Sequence, residues 1–160
     1  MAPEALVASV ALIAIALYAI FGGADFGGGV WDVLATGPRR AEARDAIGHA
    51  IGPVWETNHV WLIFVIVLLF TCFPPAFAAL ATGLYAPLTF GLVGIILRGA
   101  AYAFRSSANS QELLGQLWGH VFGVASVIAP FFFGTAVGGL TVGGYAWTSP
   151  FALVVGLLAV

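Results

Sequence analysis

Residues 57–97, TNHVWLIFVIVLLFTCFPPAFAALATGLYAPLTFGLVGIIL, run for 41 positions without a formal charge, with a proline pair, Pro74-Pro75, near the middle. A helix crossing a bilayer needs about 20 consecutive apolar residues at about 1.5 Å rise each. This run therefore holds two spans, and the proline pair punctuates a tight loop between them. The first is expected from about Val54 to Phe73, with Pro53 in its first turn. The second follows Pro75 and continues to about Arg98 or slightly beyond, so that the two form an antiparallel hairpin.

Outward from this hairpin the same pattern repeats. Twenty uncharged residues separate Glu4 from Asp25, and 48 residues follow Glu112 to Val160 without a charge. Helix 1 is expected from about Ala5 to Ala24, with a conditional extension through Gly27-Gly28-Gly29 towards Asp32, since each glycine weakens a helix by about 1 kcal/mol. Ile47, Ala50 and Ile51 recur at helical spacing, as in a short helix lying in the interface. Asn109 and Glu112 have capping-box spacing at the start of helix 4. That helix can reach about Gly138, kinked at Pro130 and closed by Gly143-Gly144. Ser149-Pro150 opens a further apolar run of ten residues after the proline, about half a bilayer core in length. The sequence thus predicts an all-α membrane protein: a four-helix transmembrane bundle over 1–142, then a loop and the start of a fifth helix over 143–160. On this reading the chain is a piece of a longer protein.

Composition agrees, with 61% hydrophobic and 8% charged residues and a mean hydropathy of +1.05, against roughly 45–50% and 25% in an average soluble domain. Eight of the twelve charges fall between Asp25 and Glu56 and three between Arg98 and Glu112, so charge marks the loops. A net charge of -2 without a basic patch sets nucleic-acid binding aside. The N-terminus lacks the positive region of a secretory signal. Cys72 is the single cysteine, which excludes an internal disulfide, and no Cys-x-x-Cys-His occurs for covalent haem attachment. All five arginines, Arg39, Arg40, Arg44, Arg98 and Arg105, lie in or beside the loops after helices 1 and 3. Basic residues collect in cytoplasmic loops, so loops 33–52 and 99–110 are expected in the cytoplasm and the N-terminus outside.

Ionisable groups at membrane depth are candidates for function. Asp25 and Asp32 are two helical turns apart, and so are Arg98 and Arg105. They give an acidic and a basic stripe that either neutralise each other as charge partners or admit protons from the cytoplasm. Glu56 and His59 share a face three residues apart. Glu-x-x-His is half of a di-iron carboxylate site, but no second pair exists, so no metal is expected. His59 and His120 stand on different helices and could clamp a b-type haem, although His120 lies about 12 Å beyond Glu112 and His59 nearer the edge. Gly115, Gly119 and Gly123 recur every four residues, the spacing that lets helix backbones approach, within the chain or between subunits. Trp31, Trp55, Trp61 and Tyr102 suit an interfacial aromatic belt.

Two stretches are more specific: Gly23-Ala24-Asp25-Phe26-Gly27-Gly28-Gly29-Val30, and Ile51-Gly52-Pro53-Val54-Trp55-Glu56-Thr57-Asn58-His59-Val60-Trp61-Leu62-Ile63. With Leu97-Arg98-Gly99 through Phe104-Arg105 they resemble subunit II of cytochrome bd-type quinol oxidases, closely to about residue 105 and by hydropathy beyond. The resemblance implies the first of two four-helix halves. It further implies no haem bound by this chain, haem b and haem d in a partner subunit I, quinol as substrate, and a cell inner membrane location. It makes Asp25 and Glu56 candidates for delivering cytoplasmic protons to oxygen reduction, and Asp32 and His59 are relay candidates from the residue spacing alone. Many relatives carry Asp-Gly-Asn in place of Glu56-Thr57-Asn58, Gln or Glu at His59 and an acid at Ala103, so the proton route here can differ in detail. The other classes that fit are a fragment of a proton-coupled secondary transporter and a bis-His haem membrane anchor.

Overall fold

The computed structural model describes residues 2–107 and 113–160. Within them the chain forms six helices: α1 (Pro3–Leu34), α2 (Arg40–Cys72), α3 (Pro74–Gly83), α4 (Tyr85–Ser107), α5 (Leu113–Val142) and α6 (Pro150–Leu158). Four of them, α1, α2, α4 and α5, are long and apolar enough to cross a membrane. In hydrocarbon every backbone N–H and C=O must be satisfied within the segment, which is why continuous helices are the form these runs take.

The boundaries depart from the sequence expectation in three places. The expected interfacial helix and helix 2 are one rod, so Pro53 lies inside α2 rather than at its start, and the expected loop 33–52 shrinks to residues 35–39. Pro53 lacks an N–H, which removes one hydrogen bond without ending a helix supported on either side. The expected helix 3 is divided: α3 ends at Gly83, Leu84 turns with φ −115° and ψ 23°, and α4 begins at Tyr85. α4 then runs to Ser107, which puts Arg98 nine residues, about 14 Å, inside the helix end rather than at it. The extension of α1 through its glycines to Leu34 is present. α5 ends four residues beyond Gly138, and Gly143 and Gly144, at φ 87° and 62°, take the left-handed backbone that closes it. The Ser149 hydroxyl accepts from the Ala152 N–H and caps α6. The Asn109–Glu112 capping box lies outside the described residues.

α5 is the hub. It packs against α1, α4 and α6, while α2 packs against α1 and α3. In its most apolar window 56% of α5 is buried, against 11% for α2, so α2 forms the outer wall. The hub works because its inner face is small. A methyl on Gly123 would overlap Val33 of α1, one on Gly119 would meet Arg44 Nη2 at 3.2 Å, and one on Gly138 would meet the α6 backbone at Ala152 Cα, 2.5 Å away. Gly119 and Gly123 therefore seat helices of this same chain. α2 and α4 meet mainly through long side chains at one end, where Trp55 stacks on Tyr102 at 5.8 Å and the Tyr102 hydroxyl donates to the Gly48 carbonyl. Large apolar side chains such as Leu12, Ile20, Val60, Ile63 and Leu92 face outward. With polar residues inside and apolar ones outside, the bundle is a multi-pass membrane protein.

Gly123→Leu is expected to cost about 1–3 kcal/mol through overpacking against Val33. Gly27→Ala, whose added methyl meets nothing within 4 Å, should leave the thermal midpoint in detergent unchanged or raised.

Candidate functional site

One polar side chain from each of the four spans converges on a single buried point. Asp25 of α1, Asn58 of α2, Arg98 of α4 and Ser126 of α5 are each 0–1% exposed. Arg98 Nη2 lies 2.7 Å from Asp25 Oδ1 and donates to the Asp25 backbone carbonyl at 2.6 Å. Arg98 Nε donates to Ser126 Oγ at 2.9 Å, and that hydroxyl donates onward to the Phe122 carbonyl. Asn58 Nδ2 donates to Asp25 Oδ2 at 3.2 Å. The guanidinium also lies between two aromatic faces, 5.2 Å from the Phe26 centroid and 4.7 Å from Phe122, each a favourable cation–π contact when desolvated.

The glycines after Asp25 make room for this arrangement. A methyl on Gly29 would overlap the Ser126 side chain, and one on Gly28 would overlap Ile51. The residues that weaken α1 as an isolated helix are those that let α5 and α2 close around its carboxylate.

Two turns further along α1, a second cluster repeats the chemistry. Asp32 is fully buried and held by two arginines: Arg105 Nη1 at 2.8 Å on Oδ1 and Arg44 Nη2 at 3.1 Å on Oδ2. Arg44 Nε also reaches the Asp32 carbonyl, and Arg105 Nη2 donates to the Arg44 carbonyl, tying α1, α2 and α4 together. A cavity of about 340 Å³ opens beside these arginines. A second, largely apolar cavity of about 600 Å³ lies between α1 and α2, beside Trp31, Leu34 and Ile47.

Of the candidates named from sequence, Asp25 meets Arg98 and Asp32 meets Arg105, each at the same step of the two seven-residue spacings. Glu56 stands apart. It is on the exposed face of α2 and makes no ion pair among the described residues, while Arg98 is engaged by Asp25. Asn58, two positions on, points to the opposite side of α2. Asp25 is also deeper than the membrane edge assigned to it: it lies nine residues, about 14 Å, from the end of α1. His59 is half-buried, with Nδ1 on the Trp55 carbonyl at 2.8 Å and Nε2 buried without a partner. His120 is exposed, with Nδ1 on the Gln116 carbonyl. The structure does not bring the two histidines together as a clamp: each bonds a carbonyl of its own helix, and neither cavity is lined by a histidine. Among the described residues no three His, Cys, Asp or Glu side chains gather as metal ligands.

Sequence reasoning did not single out Asn58, Ser126 or Arg44 as members of these clusters. Each left a faint signal. Ser126 is a hydroxyl in the midst of an apolar helix, Asn58 an amide inside the second quoted motif, and Arg44 a charge that served only to set topology.

Fold and site together define a polytopic membrane bundle cross-braced by two buried ionic clusters. Residues 3–160 match the family model for cytochrome bd terminal oxidase subunit II. The chain belongs to that family. It is 34% identical over 115 residues to cytochrome bd ubiquinol oxidase subunit 2 of Bacillus subtilis (strain 168), covering 70% of this chain and 32% of that one. It is 28% identical over 95 residues to cytochrome bd-I ubiquinol oxidase subunit 2 of Escherichia coli (strain K12), covering 59% of this chain and 25% of that one. The chain spans about a third or less of the length of these curated relatives.

Removing one member of a buried ion pair leaves the other uncompensated, at about 3–5 kcal/mol, whereas replacing both by apolar groups is often near neutral. Arg98→Met and Asp25→Leu alone should each lower the thermal midpoint of the purified protein sharply. The double variant should recover a large part of the loss, and additive losses would show that the two residues are not coupled.

Proposed function

We propose that this chain is the non-haem-ligating subunit of a bd-type quinol:oxygen oxidoreductase. In that complex it braces the haem-bearing subunit I and helps to deliver cytoplasmic protons for the reduction of oxygen to water. The family match over 3–160 carries this reading. In the assembled complex, haem b and haem d in the partner supply the electron transfer from quinol to oxygen. The residues of this chain supply shape, charge and a proton path.

The geometry supports a division of labour among the acids. Asp25 and Asp32 are each engaged by arginine and hold the spans in register. Glu56 has no ion-pair partner among the described residues and stands on the wall that the bundle leaves open, so it is the acid placed to exchange protons with whatever covers α2. His59, on the same side of α2, offers a buried and unpartnered Nε2. Asn58 carries a hydrogen bond from this region to Asp25, so the clusters also set the orientation of the wall.

In the complete oxidase Glu56→Gln should slow oxygen consumption at saturating quinol by about tenfold or more, with haem content and subunit ratio near wild type. Asp25→Asn should instead reduce assembly, read as lost haem per membrane protein. A Glu56→Gln enzyme with wild-type turnover and proton uptake would sink the relay assignment and leave the bracing role.

The arginine distribution supports a cytoplasmic 35–39 loop in the cell inner membrane. Thr36 and the exposed Cys72 lie at opposite ends of α2's span. A membrane-impermeant thiol reagent applied to intact cells should label Cys72 and not Thr36→Cys, and the reverse result would invert the topology.

A further inference from the structure

The cavity beside the second ionic cluster is built for an anion. Its wall carries three guanidiniums, Arg40, Arg44 and Arg105, together with Asp45, Gln116 and Ala41. Behind the wall Asp32 engages Arg44 and Arg105, so among the described residues that line the cavity or stand directly behind it three positive charges face the two carboxylates of Asp32 and Asp45; Glu42 of the same turn is exposed and not part of the wall. Arg40 is exposed and makes no ion pair among the described residues. The first turn of α2 adds to this. No side chain caps it, Ala41 of that turn lines the cavity, and the unpaired N–H groups of a helix start favour negative charge. At about 340 Å³ the space equals roughly ten waters of liquid, enough for a tetrahedral headgroup.

We infer that this cavity is a phosphate site, and that the phosphate it takes is that of an anionic membrane lipid. Two further observations favour a lipid over a free ion. The cavity lies at the end of the spans, where headgroups lie. Beside Gln116, the start of α5 presents Leu113, Leu114 and Leu117 at 87%, 60% and 57% exposure, an apolar flank on which an acyl chain can lie. A basic pocket between transmembrane helices with an adjoining apolar face is the combination by which anionic headgroups are recognised. The bound lipid would neutralise the charge excess and tie the first turns of α2 and α5 to the end of α4. This reading does not depend on the oxidase assignment.

The test uses the native protein, extracted with its complex partners, delipidated in mild detergent and titrated in parallel with phosphatidylglycerol, phosphatidylcholine and inorganic phosphate. Retained lipid is counted by native mass spectrometry and the thermal midpoint is followed. Phosphatidylglycerol should be retained and should raise the midpoint, whereas phosphatidylcholine and inorganic phosphate should do neither. Arg40→Gln, at a side chain without an ion pair, should weaken phosphatidylglycerol retention about fivefold. Arg40→Lys should keep most of it, and Asp45→Asn should strengthen it. Equal retention of both lipids, or no loss in Arg40→Gln, would overturn the site. Protection by inorganic phosphate as great as by phosphatidylglycerol would overturn the lipid as its source.

Discussion

A guanidinium in hydrocarbon without a counter-charge is among the most costly arrangements a membrane protein can hold, and the placement of Arg98 imposes that condition on every neighbouring helix. Its charge is met by Asp25 at 2.7 Å, its Nη2 and Nε also donate to a backbone carbonyl and a serine, and its faces are met by Phe26 and Phe122. The carboxylate is not replaceable by an apolar group at low cost while the arginine stays. The four-span bundle is therefore less a set of helices that happen to adjoin than a coordination shell around one cation. Asp25 must sit on α1, a hydroxyl must come from α5, and the backbones must approach closely enough for these short side chains to reach.

That approach explains the glycines. In a bilayer, apolar side chains gain nothing by meeting one another rather than lipid, so close packing and polar contacts must hold helices together. Gly28 and Gly29 on α1 and Gly123 on α5 face side chains that would collide with an added methyl, and Gly119 faces the Arg44 guanidinium at close contact. The helix weakness they introduce is repaid by the ionic contacts they permit. α5, with small residues along its inner face, becomes the hub, while α2, rich in Val, Ile and Phe, can only be a wall.

Much of this was legible in the charges. The long neutral runs gave the spans, and the equal seven-residue spacings of Asp25–Asp32 and Arg98–Arg105 pointed to two stripes of matching period. What was not legible is depth. Reading charged residues as loop markers ended the third span near Arg98 and opened the second at Val54, because hydropathy cannot distinguish an arginine at a helix end from one buried against a carboxylate on another helix. The partners that decide between these, Asn58 and Ser126, are short neutral polar residues whose significance depends on what lies across from them. Pro53 misled for a related reason: its missing N–H marks a boundary only if nothing else supports the helix, and here Ile51 packs in the core beside Ala101 and Phe122.

The contrast between Asp25 and Glu56 shows how the same residue chemistry is put to two uses by position alone. Asp25 closes the first uncharged run and Glu56 opens the second. The one facing inward is paired with Arg98 and hydrogen-bonded by Asn58, at a point where four helices meet. The one facing outward makes no ion pair among the described residues, on a wall whose other exposed residues, Val60, Ile63 and Phe64, would be content against lipid. An acid there is tolerable only if the surface that covers it brings water or hydrogen-bond donors. An acid on that wall fits the proposed function, in which Glu56 faces a polar surface from outside the bundle.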